Sequence, residues 1–224
     1  LAHFDLNKDP RSLSWEEAED LIKAIKQTKF IAPSTDNLVP IGEDQIKKSL
    51  KAIVEPEFLA VVTRKPTVYQ GGYAFQIEAG VAYGGKAGRL VSVEKTSGKE
   101  VITEEVRSSE IIRYANKAPL LFDAGGCAIT KTAESVDWKR YGVNNFDTSP
   151  ITVFVNLISV HIPYTSAGKS AVSDDSDIVA EIKLALMDVS RKVGIYIIEK
   201  KREEEKKEKK KVFAKYAPYV VDAL

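Results

Sequence analysis

The chain has 224 residues, 44% of them hydrophobic, enough to bury one sizeable core with a small accessory piece. Its 33 basic and 32 acidic residues nearly cancel to a net charge of +1, so any nucleic-acid contact must come from local patches rather than bulk charge. One cysteine and two histidines exclude an internal disulfide and argue against a zinc site of the usual Cys/His kind, and no apolar run approaches the roughly 20 residues that span a bilayer. No signal peptide is evident, and the start at Leu1 rather than Met reads as a piece of a longer protein.

In chain order, Ser14 with Glu17 three residues on is a capping-box start, and Leu21, Ile22 and Ile25 supply the stripe of a first helix ending near Lys29. Ile31 to Asn37 is turn-rich. A second helix is predicted at Glu43 to Ile53, with Ile46, Leu50 and Ile53 on one face. Phe58 to Thr63 is a short strand. Ala74 to Tyr83 alternates, with Phe75, Ile77, Ala79, Val81 and Tyr83 on one face. Lys86 to Ser109 is polar and reads as a hairpin around Leu90 to Val93 and Val101 to Thr103, or as a mobile loop. Short strands are predicted at Ile111 to Tyr114 and Leu120 to Phe122. Gly125-Gly126 opens a helix carrying Ile129, Ala133 and Val136. Ile151 to Val160, apolar on both faces and β-branched, is a central strand.

After a loop at Pro163 to Ser170, Asp174, Asp175 and Asp177 crowd the start of the longest helix, whose stripe is Ile178, Ile182, Leu186, Val189, Val193 and Ile197. The stripe stops after Glu199. Lys/Glu pairs one turn apart, such as Glu203 with Lys207 and Glu205 with Lys209, carry the helix into solvent. Pro218 and the apolar residues of Phe213 to Tyr219 suggest that it ends in a docking tip. The summed pattern is α+β, one sheet with a long helix on a face and helices at both ends.

Two short strings carry candidate chemistry. Ser166-Ala167-Gly168-Lys169-Ser170 ends like a Walker A loop, but Pro163 stands where that motif wants a glycine and removes a backbone donor. Gly168 would let a backbone approach a phosphate and Lys169 would supply a compact cation, a contact of roughly 1.5–3 kcal/mol. An ordinary loop with a solvated lysine explains the same residues. Trp138-Lys139-Arg140-Tyr141 interleaves rings with cations, as a nucleic-acid backbone site does; the alternative puts both rings in the core and leaves the cations exposed. His161 is better explained as a packed or capping residue, and Cys127 as a small buried one. The three aspartates fit helix-start electrostatics, although three carboxylates also suit a divalent ion.

Several strings together resemble the B subunit of topoisomerase VI. They are Lys26-Gln27-Thr28-Lys29-Phe30-Ile31-Ala32-Pro33-Ser34-Thr35-Asp36 with Pro40-Ile41-Gly42-Glu43, then Val62-Thr63-Arg64-Lys65-Pro66, and Glu78 to Gly85. Arg113-Tyr114-Ala115-Asn116, Asp137 to Gly142 and Ile162 to Lys169 follow in the family's order. The resemblance implies that residues 1–33 end a helix-two-turn-helix domain, 34–198 form a transducer with a mixed sheet and a left-handed βαβ crossover, and 199–224 are a C-terminal stalk helix and tip. It implies a part of an ATP-hydrolysing type IIB DNA topoisomerase, an isomerase, that relays ATP binding and hydrolysis to DNA cleavage and strand passage.

ATP and Mg²⁺ would be held mainly by an N-terminal gyrase/Hsp90/histidine-kinase/MutL-type domain that this sequence does not resemble. No cofactor or metal is expected in the fragment, which would be inactive alone. The implied partners are that ATP-binding domain, the A subunit in an A₂B₂ heterotetramer, and double-stranded DNA, with no membrane; the fragment itself would be a monomer. The compartment would be cytoplasmic and nucleoid-associated in archaea or bacteria, nuclear in eukaryotes. Carried over by position, Lys169 reads the γ-phosphate, with Ser166 and Gly168 as loop neighbours. Trp138, Lys139 and Tyr141 face DNA, and Arg140 joins them on charge alone. The competing readings are a stand-alone nucleic-acid-binding α+β module and a phosphate-binding enzyme using Gly168-Lys169-Ser170. The segment Lys86 to Ser109 is longer than the family pattern suggests.

Overall fold

The computed structural model describes residues 5, 7–28, 34–69, 72–97 and 100–221, with backbone alone at 94–97, 100–102 and 215–221. Backbone contacts divide the chain into two units, Leu1–Ser34 and Thr35–Leu224. In the first, helix α1 (Trp15–Gln27) starts as its sequence dictates. Glu17 N–H donates to Ser14 Oγ at 3.2 Å, and Ser14 N–H returns a bond to the Glu17 carboxylate at 2.9 Å. Residues 29–33, part of the turn-rich exit and of the first resembling string, lie outside the described residues.

In chain order the strands of the second unit are β1 (Phe58–Thr63), β2 (Thr67–Val68), β3 (Ala74–Tyr83), β4 (Arg89–Ser97), β5 (Glu100–Ser108), β6 (Glu110–Ala115), β7 (Ala118–Pro119) and β8 (Ile151–Ser159). β4 and β5 form a separate two-stranded hairpin. The large sheet runs β1-β3-β8-β6-β7, with β2 also on β3. All its pairings are antiparallel except β6–β8. That parallel pair needs a crossover, and helix α3 (Ala128–Glu134) supplies it. The chain is therefore α+β with a mixed six-stranded sheet, and Lys86 to Ser109 is a paired hairpin rather than a loop. Leu120 to Phe122 is not a strand. β7 stops at Pro119, and the Asn116-Lys117 turn, with φ of +48° and +67°, makes β6–β7 a two-residue hairpin only two residues deep. Val136 is buried but lies beyond α3, which ends at Glu134.

Both faces of the sheet are covered. Helix α4 (Ser176–Val221) lays Ile178, Ile182, Leu186, Val189 and Val193 on Ala60, Phe75, Ile77, Ala79 and Val81, and α3 closes the same face. Helix α2 (Glu43–Val54) packs Ile46 and Leu50 against Val61 and Phe154 on the other. β3 alternates as its sequence predicts, yet its polar face is buried as well. Glu78, wholly buried, accepts from Ile41 and Gly42 N–H at 2.9 and 2.7 Å, from Asn156 Nδ2 at 2.9 Å and from Thr63 Oγ1 at 3.2 Å. The strand thus caps α2 remotely, because Gly42 has no side chain to do so.

Helix α4 is fixed at two points and then leaves the domain. Near its start Arg64 donates Nε to Glu181 at 2.7 Å and Nη1 to Asp188 at 2.8 Å. Further on, Tyr196 stacks on Phe58 with centroids 4.7 Å apart, and Glu57 accepts from Lys200 at 2.6 Å. Beyond Lys200 every described side chain to Ala214 is exposed. The helix continues through Pro218 to Val221, so Pro218 does not end it. At 1.5 Å per residue the stretch past Lys200 projects about 30 Å. The tip side chains from Lys215 on lie outside the described ones.

Candidate functional site

The segment between β8 and α4 folds back on itself. Tyr164 bridges Val172, Thr165 N–H donates to the Ala171 carbonyl at 3.0 Å, and Ser173 donates to the Pro163 carbonyl from both N and Oγ, at 2.7 and 3.0 Å. At the tip Lys169 N–H donates to the Ser166 carbonyl at 3.1 Å, closing a turn over Ala167 and Gly168. Lys169 then sits at φ +51°, a left-handed conformation that costs a non-glycine residue about 1–2 kcal/mol. Its side chain is exposed, with no hydrogen bond or ion pair among the described residues. Ser166 and Gly168 are exposed beside it.

This geometry separates the loop from a Walker A site, where backbone donors of a helix N-terminus hold the phosphates. Here six residues lie between Lys169 and the helix, and Asp175 already occupies its end, accepting from Asp177 and Ile178 N–H at 3.0 and 3.2 Å. The tip is a short hydrogen-bonded ribbon whose Lys169 ammonium is exposed and unpaired among the described residues. Asp174 turns instead toward Lys131 at 3.6 Å, and among the described residues no group of three acids, histidines or cysteines could hold a metal.

The aromatic–cationic string divides in two. Trp138, only 4% exposed, donates Nε1 to the Ala133 carbonyl at 2.9 Å and stacks on Phe146 at 4.9 Å. Tyr141, 8% exposed, packs against α4 where Gly194 leaves room; a Cβ there would lie 3.3 Å from Tyr141 backbone atoms. Both rings are buried, so of the four candidate DNA-facing residues only Lys139 and Arg140 expose their side chains. They wedge a single 3-10 turn, Trp138–Tyr141, against the long helix, and Gly142 (φ +83°) ends it. Lys139 and Arg140 point outward from that turn, both exposed, with no ion pair among the described residues.

Sequence reasoning missed the side chains that fasten the long helix to β1 and its flanks. The Lys200 hydrogen bond and charge, with the Tyr196 hydroxyl, hold the Glu57 carboxyl below the usual carboxylate value against the cost of its desolvation. The same contacts raise Lys200. Arg64 lies inside a resembling string, but nothing in the string says that its partners are on the long helix. His161, stacked on Tyr73 at 4.7 Å, and Cys127, buried at the start of α3, are structural.

Comparison with known proteins agrees with the architecture. The family described as "Topoisomerase VI B subunit, transducer" matches residues 33–210. The chain is 47% identical over 221 residues to the B subunit of type 2 DNA topoisomerase 6 from Methanothermobacter thermautotrophicus, covering 99% of this chain and 40% of that protein. To its counterpart in Pyrococcus horikoshii it is 46% identical over 219 residues, 98% of this chain and 36% of that protein. The chain thus spans about two fifths of the length of the relatives it matches. The B subunit of DNA gyrase from Myxococcus xanthus overlaps 68% of this chain and 46% of its own at 11% identity and a TM-score of 0.35, too loosely to bear on fold or function.

Proposed function

The chain belongs to the transducer family of topoisomerase VI B subunits, and from that premise we propose that it relays ATP binding and hydrolysis in a separate ATP-binding domain to DNA cleavage and strand passage by an A subunit. The observation that carries this reading is the pairing of a cation, unpaired among the described residues, at a hydrogen-bonded loop tip with a long helix fastened to the same sheet. Lys169 would meet the γ-phosphate of ATP held, with Mg²⁺, by that neighbouring domain. A charge-assisted contact of about 2 kcal/mol shifts a two-state equilibrium about thirtyfold, and hydrolysis removes it. Helix α4, pinned at Arg64 and Glu57, would turn with the sheet and carry that motion outward along its exposed length toward the A subunit.

Lys139 and Arg140 would contact the DNA backbone, with Trp138 and Tyr141 holding their turn in place. The whole assembly would be an A₂B₂ enzyme acting on double-stranded DNA inside the cell. The reading as a phosphate-binding enzyme loses its basis, because the Gly168-Lys169 turn lies away from a helix N-terminus.

The test is ATP-driven relaxation of supercoiled DNA by the assembled enzyme carrying Lys169→Ala. Alanine at φ +51° is no worse strained than lysine, so melting should be unchanged while relaxation falls at least tenfold. Undiminished relaxation would move the phosphate-reading role to another residue.

A further inference from the structure

A different part of the fold presents an open strand edge. Residues Glu110–Arg113 of β6 pair with β8 on one side, and β7 reaches only Tyr114 and Ala115 on the other. Two hydrogen bonds fix which backbone groups face outward. Asn116 N–H reaches Leu157 of the β8 side at 2.8 Å, whereas the Arg113 carbonyl accepts from Leu120 N–H on the β7 side, also at 2.8 Å. By strand alternation the N–H and C=O of Ile111 point the same way as Arg113, away from β8. Such an exposed row of donors and acceptors is a template for another strand.

This edge is recessed rather than flat. It lies in a groove of about 840 Å³ between the hairpin base at Arg89 and Ser108, the loop at Leu120 and Leu121, and α3 at Thr130 and Glu134. The walls admit one extended segment along roughly four residues, ~13 Å. Three carboxylates border the groove, Glu110, Glu134 and Asp147, and none has an ion pair among the described residues. Two cations also line the groove: Arg113, buried and spent on the carbonyls of Leu120, Phe122 and Asp123, and Arg89, exposed at the hairpin base, so the three carboxylates leave the groove acidic by one charge. Thr130 Oγ1, buried at the groove wall, has no hydrogen-bond partner. Leu121 is 74% exposed at the rim.

We propose that this groove takes up an extended segment of a partner polypeptide as an added strand on β6, with apolar side chains alternating with lysine or arginine. The backbone of Ile111 supplies the pairing and the three carboxylates select the basic side chains. The proposal does not depend on the ATP relay.

The experiment follows amide exchange of the intact protein with an acetylated Val-Lys-Val-Arg-Val amide and with its Val-Glu-Val-Glu-Val counterpart. The basic peptide should slow exchange at Ile111 at least tenfold, and the acidic one should not. Glu134→Lys with Asp147→Lys should weaken binding at least tenfold, a change in affinity that leaves the fold intact because both side chains face the groove. Ile111→Pro removes an outward N–H without breaking a bond to β8 and should abolish binding. Equal protection by both peptides, none by either, or binding that survives Ile111→Pro would each overturn the proposal. So would concentration-dependent protection of Ile111 in the absence of peptide, which would identify a second copy as the occupant.

Discussion

Lys200 Nζ lies 2.6 Å from Glu57 Oε2, joining the last half-buried turn of α4 to the residue that precedes β1. The contact marks where the helix stops being part of the domain. Glu57 also accepts from the Tyr196 hydroxyl at 3.3 Å, and Tyr196 stacks on Phe58 next to it. Because both charges are about 40% exposed, their pairing adds below about 1 kcal/mol to global stability. Its consequence is local. Glu57→Gln should leave the melting temperature within about 2 °C, yet speed amide exchange several-fold over residues 196–204. Unchanged exchange there would remove Glu57 as the point that anchors the stalk.

The same contact has a pH signature. Glu57 is lowered from an ordinary 4.5 mainly by the Lys200 hydrogen bond, and Glu43 by its bond from Lys47, helped by Thr63 N–H. A carboxyl lowered in the folded state stabilises the fold fully above its unfolded value and loses that contribution as pH falls through the folded one. The root of the stalk should therefore stay protected from exchange down to about pH 4.5 and open below it, before the sheet unfolds. Opening that begins near neutrality would contradict the assignment.

Arg64 is a stronger fastener. It spans two carboxylates seven residues apart on α4, less exposed than the Glu57 pair. Arg64→Ala should cost about 1–3 kcal/mol, read in urea titration. Arg64→Lys should recover less than half, because one ammonium cannot reach both Glu181 and Asp188 with the same geometry. Full rescue by lysine would mean that charge alone matters at this point.

Glu78 tests how α2 is held. Four donors converge on its buried carboxyl, two of them at the N-terminal end of α2. Glu78→Ala strands those donors and should cost about 3–5 kcal/mol by chemical denaturation. Glu78→Gln replaces an acceptor with a donor facing N–H groups and should lose at least half as much. A loss below about 1 kcal/mol in both would show that water substitutes freely.

How much of this was legible depended on whether the cause was local. Period-two alternation located β3 from Ala74 to Tyr83, and an apolar stripe located α4, because each depends on its own residues. The capping box at Ser14 is likewise a four-residue matter. Burial of the polar face of β3 was not legible, since Gln76 and Glu78 look solvent-facing until α2 and Asn156 cover them. Nor was the place of Lys169. Gly168-Lys169-Ser170 reads the same at a helix start or on a ribbon tip, and the Tyr164–Val172 bridge that decides between them is a pairing no spacing rule announces. For Trp138 the string of rings and cations left two readings open, one mixed surface or rings in the core with the cations outside, and a short turn against α4 produces the second.

That division makes the DNA reading testable at separate residues. Lys139→Glu with Arg140→Glu should leave the melting temperature unchanged, because both side chains are exposed and carry no ion pair among the described residues. In the assembled enzyme the double variant should bind duplex DNA more weakly. Two lost phosphate contacts should also reduce the slope of log affinity against log salt by about 1.8. Trp138→Ala acts through the fold, emptying a site where the indole stacks on Phe146 and bonds Ala133, at a cost of about 3–5 kcal/mol. Its effect on DNA binding should then fall in proportion to the folded fraction and leave the salt slope intact. A normal slope in the double variant, or a reduced slope in well-folded Trp138→Ala, would reverse the roles given to the cations and the ring.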